Sequence, residues 1–252
     1  MDQRTSTVIA ARDAAFAVLN GGFRLVDLTD VLGAETILWP GAPPLEIVDA
    51  VTHDAHGYHA RVFTTFEHAG THFDAPEHFV PGGADTASIS IDDLVVPAVV
   101  IDISGKAAAD PNAVVEPDDV VAFEKEHGAI PAGSAALMLS GWARRKSSAL
   151  SYIGAEGTTD LKFPGFGVEA ARMLVDRGVV GLGVDTLGID PGDKPDFPVH
   201  RTVSHPAGLW HLENLINLEQ LPATGCVIVV GVPRIAGGTG FPTRVFAFVP
   251  KQ

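Results

Sequence analysis

Three imidazoles and a carboxylate fall within eleven residues of this chain, at His68, His72, Asp74 and His78. The gaps are four, two and four positions, so on a straight strand all four side chains would share one face. Such a strand would spread them over roughly 33 Å, at about 3.3 Å per residue, which one small ion cannot span. Gly70 and Pro76 lie between them and mark the places where the chain can bend to bring the four groups together. Neutral imidazole nitrogen and carboxylate oxygen are good ligands for Zn2+ and Mn2+, so the residue types predict a metal site. A purely structural reading competes with it. Asp74-Ala75-Pro76-Glu77 also has the form of a helix start, with Asp as cap, Pro in the first turn and Glu at the third position. The His-Glu-x-x-His signature of helical zinc proteases is absent, and Gly70 argues against the continuous helix it requires.

A catalytic ion keeps a position open for water, and a two-metal site needs further ligands with a carboxylate able to bridge. Candidates lie far along the chain. His200 follows a loop rich in Asp and Pro, with His205 and His211 as its rivals, and Glu213 is the candidate carboxylate. On periodicity alone Glu213 reads as a solvated helix residue. A second cluster, His53, His56 and His59, has three-residue spacing but no carboxylate at ligand spacing apart from Asp54, and reads as a polar loop near the site mouth. Trp39, Phe66, Phe73 and Phe79 are candidates to line an apolar pocket for an aromatic ring. Ordinary core packing is the alternative for each. Gly237-Gly238-Thr239-Gly240 lacks the following helix and Lys-Ser/Thr of a phosphate loop. Ser140-Gly141-Trp142 lacks the context of a serine-hydrolase elbow.

The elements that must position these groups alternate. Strand-like runs occupy residues 25–29, 61–66, 98–103, 135–140, 179–185, 226–230 and 244–249. Helical patterns occupy 117–124, 168–177 and 212–221. The run 61–66 leads straight toward His68, which places the metal motif at a strand end and the turn beyond it. Residues 143–165 are polar and glycine-rich and read as a loop excursion, and 188–198 as a loop rich in Asp, Gly and Pro. Residues 6–20 have helical composition, closed by Gly21-Gly22, so residues 1–22 are read as an N-terminal helical segment ahead of one domain over 23–252. The class is α/β or mixed α+β.

The 252 residues are 46% hydrophobic, which suits a single large domain, and carry a formal charge of −14. That charge argues against nucleic acid and anionic membrane surfaces as partners. No apolar run reaches spanning length. The lone cysteine, Cys226, sits in an apolar run and reads as a small buried hydrophobe. With no basic, apolar leader at the N-terminus, a cytoplasmic location is expected.

His68-x-Gly70-Thr71-His72-x-Asp74-x-Pro76-x-His78 resembles the signature of the cyclase-like metal-dependent hydrolases, a family that includes bacterial kynurenine formamidase and isatin hydrolase. Trp39-Pro40-Gly41, Ser140-Gly141-Trp142, Phe163-Pro164-Gly165-Phe166, Gly183-Val184-Asp185-Thr186-Leu187, and His200-Arg201 with Leu212-Glu213-Asn214-Leu215 resemble further blocks of the same family. The resemblance implies a swivelling β/β/α fold with a mixed sheet. It implies that His68, His72 and Asp74 bind metal, with Asp74 able to bridge. His200 and Glu213 become ligands of a second ion, and His78 a catalytic acid/base. One or two divalent ions per chain and a homodimer or higher homo-oligomer follow from it too. Gly188 stands where the family often has Ser, Ser140 where it often has Thr, and the chain is longer around 143–165. The length and the Trp39 loop lean toward the isatin hydrolase-like side. The expected function is hydrolysis of a small aromatic amide or cyclic amide, N-formylkynurenine- or isatin-like, by metal-activated water. The alternatives are a metal-dependent cyclase, lyase or lactone hydrolase on the same scaffold, and a non-catalytic metal-binding protein. His78 discriminates, because binding needs only ligands whereas catalysis needs a proton carrier as well.

Overall fold

The computed structural model describes residues 21–154 and 160–251. The helix expected over 6–20 falls outside them. The strands, in chain order, are β1 (Phe23–Asp27), β2 (Glu46–Val51), β3 (Ala60–Thr64), β4 (His72–Asp74), β5 (Val95–Asp102), β6 (Val114–Val115), β7 (Ala135–Leu139), β8 (Gly165–Phe166), β9 (Gly181–Val184), β10 (Trp210–Glu213), β11 (Cys226–Gly231), β12 (Gly240–Pro242) and β13 (Arg244–Pro250). Nine of them form one sheet in the order β1-β13-β11-β5-β7-β9-β10-β4-β12. β5, β7, β9 and β10 are parallel neighbours, and the remaining pairings are antiparallel. The result is a mixed α/β domain, as the alternation of strand and helix patterns predicts.

The connection from β12 to β13 sets the shape of the sheet. Only Thr243 separates these strands in the chain, yet they hold the ninth and second places in the sheet. Seven strand spacings amount to roughly 34 Å in a flat sheet, far beyond the reach of one residue. The sheet therefore curls until the end of β12 meets the start of β13. Inside the curl lies one core, which takes Val96, Ala98 and Val100 from β5 together with Phe73, Leu137, Trp210, Leu212 and Ala247. The intervening residues of β5, Val99 and Ile101, face outward with Met138, Leu182 and Val184. Helices Pro117–His127 and Val168–Asp176 cover that outer face. β5 thus has both faces buried, which is why it reads as a nearly continuous apolar run. The first helix starts on a capping box of Glu116 and Asp119 with Pro117 in its first turn.

Three sequence expectations are corrected. The helix expected over 212–221 is instead strand β10 followed by a single 3-10 turn, Leu218–Gln220. Residues 210–213 alternate, with Trp210 and Leu212 in the inner core, and pairing with β9 and β4 on either side overrides the helical pattern. The run 61–66 does not lead into the metal motif as a strand. It forms β3, which pairs only with β2 in a separate two-stranded hairpin. The excursion at 143–165 is not bare loop. It contains helix Ala149–Ile153 and buries Trp142, Tyr152, Leu161 and Phe163 with Leu187 in a third core. Trp142 Nε1 donates to the Tyr152 carbonyl at 2.6 Å. Residues 155–159 lie outside the described residues.

Candidate metal centre

β4 and β10 lie antiparallel, in a register that sets His72 opposite Glu213 and Asp74 opposite His211. Side chains alternate along a strand, so these four share one face while Phe73, Trp210 and Leu212 fill the core on the other. Phe73 is fully buried, 5.7 Å from the Trp210 ring between centroids, and does not reach the cavity that the site opens on. The expectation that it lines the pocket is therefore corrected, and it follows from period-two alternation with His72 and Asp74. Asp74 is likewise no helix cap. It ends β4, and the short turn Pro76–His78 after it has Ala75 in the cap position.

The chain bends at both expected places. Gly70 adopts φ +61, a left-handed conformation that costs glycine little. The turn lets His72 Nδ1 donate to the Gly70 carbonyl at 2.8 Å. After Asp74, the 3-10 turn at Pro76–His78 swings the His78 ring onto that of His68, with centroids 3.8 Å apart. His68 Nδ1 sits 2.6 Å from Asp74 Oδ1. The far segment arrives through a π-helical turn, His200–Ser204, a rare geometry frequent at functional sites. Asp190 holds the start of that turn. Its carboxylate accepts from the backbone of Val199 at 2.7 Å and His200 at 3.1 Å, and from His200 Nδ1 at 2.6 Å. His200 Nε2 is left facing Glu213 Oε1 at 3.4 Å and Asp74 Oδ2 at 3.7 Å.

The polar atoms converge on Asp74. Three groups have ligand atoms mutually within 4.8 Å: His68, Asp74 and His78; His72, Asp74 and Glu213; and Asp74, His200, His205 and His211. His68 and His72 thus fall in different groups, joined by Asp74. All three C-terminal histidines, treated as rivals on sequence, reach the same place. His205 donates through Nδ1 to the Leu209 carbonyl at 3.0 Å, and His211 Nε2 pairs with Ser204 Oγ at 2.8 Å. The His53, His56 and His59 set stands apart. It lies exposed at the β2–β3 hairpin, within and just after a short helix, lines no part of the cavity, and turns His59 toward Asp49 at 2.9 Å.

The arrangement is short of positive charge. Burial would raise Asp74, but His68, His72 and His200 hold its carboxyl well below the usual range. Burial and Asp74 push Glu213 up, and the neighbouring His200 and His72 imidazoles bring it below its ordinary value. Burial would lower His72, but Asp74 and Glu213 override it and lift the imidazole to about 10. His200 is raised in the same way by Asp190, Asp74 and Glu213. Two buried carboxylates therefore hold protons on two histidines that would otherwise be neutral. His72 Nε2 lies 3.1 Å from Asp74 Oδ1 and 3.4 Å from Glu213 Oε2, yet it is buried with no aligned hydrogen-bond partner. His205 Nε2 is similarly unpartnered. Unpaired imidazole nitrogens aimed among anionic oxygens are the chemistry that a divalent cation satisfies, so these residues fit a metal ion. His78 is different in kind. Burial outweighs its anionic neighbours and pushes it down to about 4, so it is neutral at pH 7.

The cluster floors a cavity of about 420 Å3, walled by Trp39, Phe66, Phe79, Leu187 and Phe197. Trp39 packs on Phe197 at 5.5 Å between centroids, and Phe197 on Phe79 at 5.5 Å. Several contributors to the site belong to no sequence motif. Asp190 is one of three aspartates in its loop. Thr239 and Glu67 support the outer side of His68, with Thr239 Oγ1 3.0 Å from His68 Nε2 and bonded in turn to Glu67. The glycine-rich run 237–240, no phosphate loop, places Thr239 there. A Cβ on Gly240 would meet His68 Cε1 at 2.7 Å.

A curled mixed sheet with a buried His/carboxylate cluster at the β4–β10 seam, opening on an aromatic cavity, defines an α/β domain with a site of metal-binding type. The chain belongs to the cyclase family, whose family model, "Cyclase", matches residues 26–191. It is similar to the isatin hydrolase of Roseibium aggregatum, with 33% identity over 93% of this chain and 95% of the relative. The kynurenine formamidase of Salinibacter ruber is 26% identical over 87% of this chain and 95% of its own length. A crystal structure of an isatin hydrolase bound to the product analogue thioisatinate superposes with a TM-score of 0.89, at 31% identity and 100% coverage of both chains.

Proposed function

We propose that this chain is a metal-dependent hydrolase of a small aromatic amide or cyclic amide, N-formylkynurenine- or isatin-like. One observation carries the reading. The unpartnered His72 Nε2 and the buried pair Asp74 and Glu213 sit on the floor of an aromatic cavity, within reach of a histidine that is neutral at pH 7. The names of the relatives support the reaction class. His68, His72, Asp74, His200 and Glu213 are the residues that would hold one or two ions, and Asp74, common to all three candidate groups, would be able to serve both. Their imidazole and carboxylate donors suit Zn2+ and Mn2+ alike. A divalent ion held there would supply Lewis acidity, able to lower the pKa of a water and to polarise a carbonyl.

The protein's own groups do the rest. His78 accepts the proton of the attacking water and returns it to the leaving nitrogen. Stacking on His68 and packing against Phe79 fix its ring. Trp39 and Phe66 receive the aromatic ring, and the apolar walls limit bulk water at the reacting bond. Asp190 fixes His200 with Nδ1 as donor, so that Nε2 faces the cluster.

A second copy of the chain is the proposed partner besides the substrate. The β2–β3 hairpin exposes Val48, Val62 and Phe63 at 64%, 56% and 55%. An isolated two-stranded hairpin is marginal in water, so a partner surface is its natural stabiliser. Sedimentation at micromolar concentration is expected to give a dimer or larger assembly, and a monomer removes this partner. A cytoplasmic location is proposed from the single, buried, unpaired Cys226. Among the described residues no helix is long and apolar enough to cross a membrane. Hydrolysis of N-formylkynurenine, isatin and an aryl lactone by the metal-loaded protein tests the reaction. Turnover of an amide supports the proposal, whereas turnover of the lactone alone replaces it with a lactone hydrolase.

A further inference from the structure

The glycine-rich run 237–240 ends against the cluster and sets Thr239 beside His68. Thr239 comes just before β12, whose first residue, Gly240, stands opposite Asp74. The Ala75 N–H donates to the Thr239 carbonyl at 2.8 Å, so Thr239 is pinned to the end of β4. A Cβ on Gly240 would meet the Phe73 carbonyl at 2.5 Å and His68 Cε1 at 2.7 Å, so glycine there is what lets the His68 ring lie against the strand. Thr239 Oγ1 lies 3.0 Å from His68 Nε2. Glu67 Oε2 accepts from the Thr239 hydroxyl and, at 3.4 Å, from its backbone N–H. The other nitrogen of the His68 ring, Nδ1, lies 2.6 Å from Asp74 Oδ1. Four side chains thus stand in one line, Glu67, Thr239, His68 and Asp74.

Donor capacity gives this line a direction. A carboxylate only accepts, and a hydroxyl has one hydrogen to give. Thr239 gives its hydrogen to Glu67, so toward His68 its oxygen accepts, and His68 Nε2 carries the hydrogen of that bond. A neutral imidazole protonated at Nε2 has its lone pair on Nδ1, the nitrogen that faces Asp74. The opposite tautomer would donate from Nδ1 to Asp74 and close that nitrogen to an ion. We infer that Glu67 and Thr239 are positioning residues, which hold the hydrogen of His68 on Nε2 and so offer Nδ1 to a divalent ion beside Asp74. Asp190 acts on His200 in the opposite sense, binding Nδ1 and leaving Nε2 to the cluster. Two histidines from distant segments are thereby fixed on opposite ring nitrogens, one by a carboxylate directly and one through a hydroxyl. The inference rests on the metal-site reading above.

Zn2+ alone is the probe, titrated into the chelator-stripped full chain against a competing indicator, with the imidazoles nitrogen-labelled for magnetic resonance. In the Zn2+-loaded wild type the His68 ring is expected to carry its hydrogen on Nε2 and to hold the ion through Nδ1. Thr239→Val keeps a branched side chain without the hydroxyl. It should weaken Zn2+ affinity by about 10–100-fold, the range for loss of a group that orients a ligand, and release the hydrogen from Nε2. Thr239→Ser should restore both, and Glu67→Gln should fall between Thr239→Val and the wild type. A His68 hydrogen on Nδ1 in the loaded wild type overturns the proposal, whatever the variants do. So does a Thr239→Val protein that melts lower without metal yet binds Zn2+ as tightly with the ring unchanged, because that is the mark of a hydroxyl that merely packs. A wild type that takes up no Zn2+ removes the metal-site reading and the inference with it. Equal Zn2+ binding by wild type and Thr239→Val keeps the metal site and removes the positioning pair.

Discussion

Asp74 is the residue on which the site turns, since it is common to all three groups of candidate ligands and its two oxygens face different histidines. The N-terminal half of this arrangement was legible in the sequence, because three histidines and an aspartate at short spacing are rare without a chemical reason. The choice among His200, His205 and His211 was not, because all three converge and only their hydrogen bonds tell them apart. Asp190 was invisible for a similar reason: its role is fixed by three donors in space, none of them marked by a motif. The roles proposed for single residues separate in mutants. His78→Ala is expected to lower kcat by about 10²–10⁴-fold with metal content nearly unchanged, as for loss of a general acid/base. His72→Ala should instead lose metal. If His78→Ala strips the metal as well, its imidazole is a ligand and another group carries the proton. Asp190→Asn keeps the shape but removes the charge that orients His200, and should weaken metal affinity by about 10–100-fold. Unaltered affinity in a metal titration would leave Asp190 with the π-turn alone.

Strand β4 shows what an element adds to its residues. Three consecutive positions send His72 and Asp74 to the site and Phe73 to the inner core, so the strand that carries the chemistry is also anchored by the largest side chain next to it. This alternation was readable at 72–74 and identifies Phe73 as core. β10 repeats the logic with Trp210 and Leu212 inward and His211 and Glu213 toward the site, but the segment 212–221 looked helical. A four-residue strand held by neighbours on both sides leaves too short a periodic signal to outvote helical propensity. Phe73→Ala should therefore cost about 3–5 kcal/mol of stability, the range for large aromatic side chains deleted from cores. Chemical denaturation checks the loss, and KM measured on the folded fraction should stay close to the wild-type value. A large rise in KM with little loss of stability would return Phe73 to the pocket.

At the scale of the whole molecule, the curl of the sheet brings residues 68–78, 190 and 200–213 to one seam. Strand order is set by long-range pairing, which no local pattern encodes, and that is why the site's two halves could be named from sequence but not placed. The same assembly couples metal to protons. In the metal-free protein, His72 is raised to about 10 and His200 well above its ordinary value, so both are protonated at pH 7. An ion that takes their Nε2 positions must displace these protons. Binding should release about two protons per cluster and tighten as pH rises, which calorimetry in buffers of different ionisation enthalpy will read. Affinity independent of pH would contradict the coupling.

Stability of the metal-free protein should follow the same charges. His72 and His200 bind protons more tightly folded than unfolded, so their contribution is complete below pH 6.5 and lost at higher pH, for His72 as pH rises toward 10. Burial, the largest cause, lowers His78 and His205 to about 4, so the unfolded chain binds more protons between 6.5 and 4 and stability falls as pH drops through that window. The melting temperature of the metal-free protein should thus decline on both sides of a maximum near pH 6.5, and bound metal should remove the alkaline decline. A melting temperature flat from pH 4 to 10 would contradict both signs.

If a divalent ion held around Asp74 drives amide hydrolysis, reconstitution must restore what stripping removes. The protein is stripped with a chelator, metal removal is verified by elemental analysis, and Zn2+ or Mn2+ is returned in measured equivalents while hydrolysis of N-formylkynurenine and isatin is followed. Activity is expected to disappear with the metal and to return in proportion to bound ion, saturating at one or two equivalents. Full hydrolysis by verified metal-free protein would contradict it.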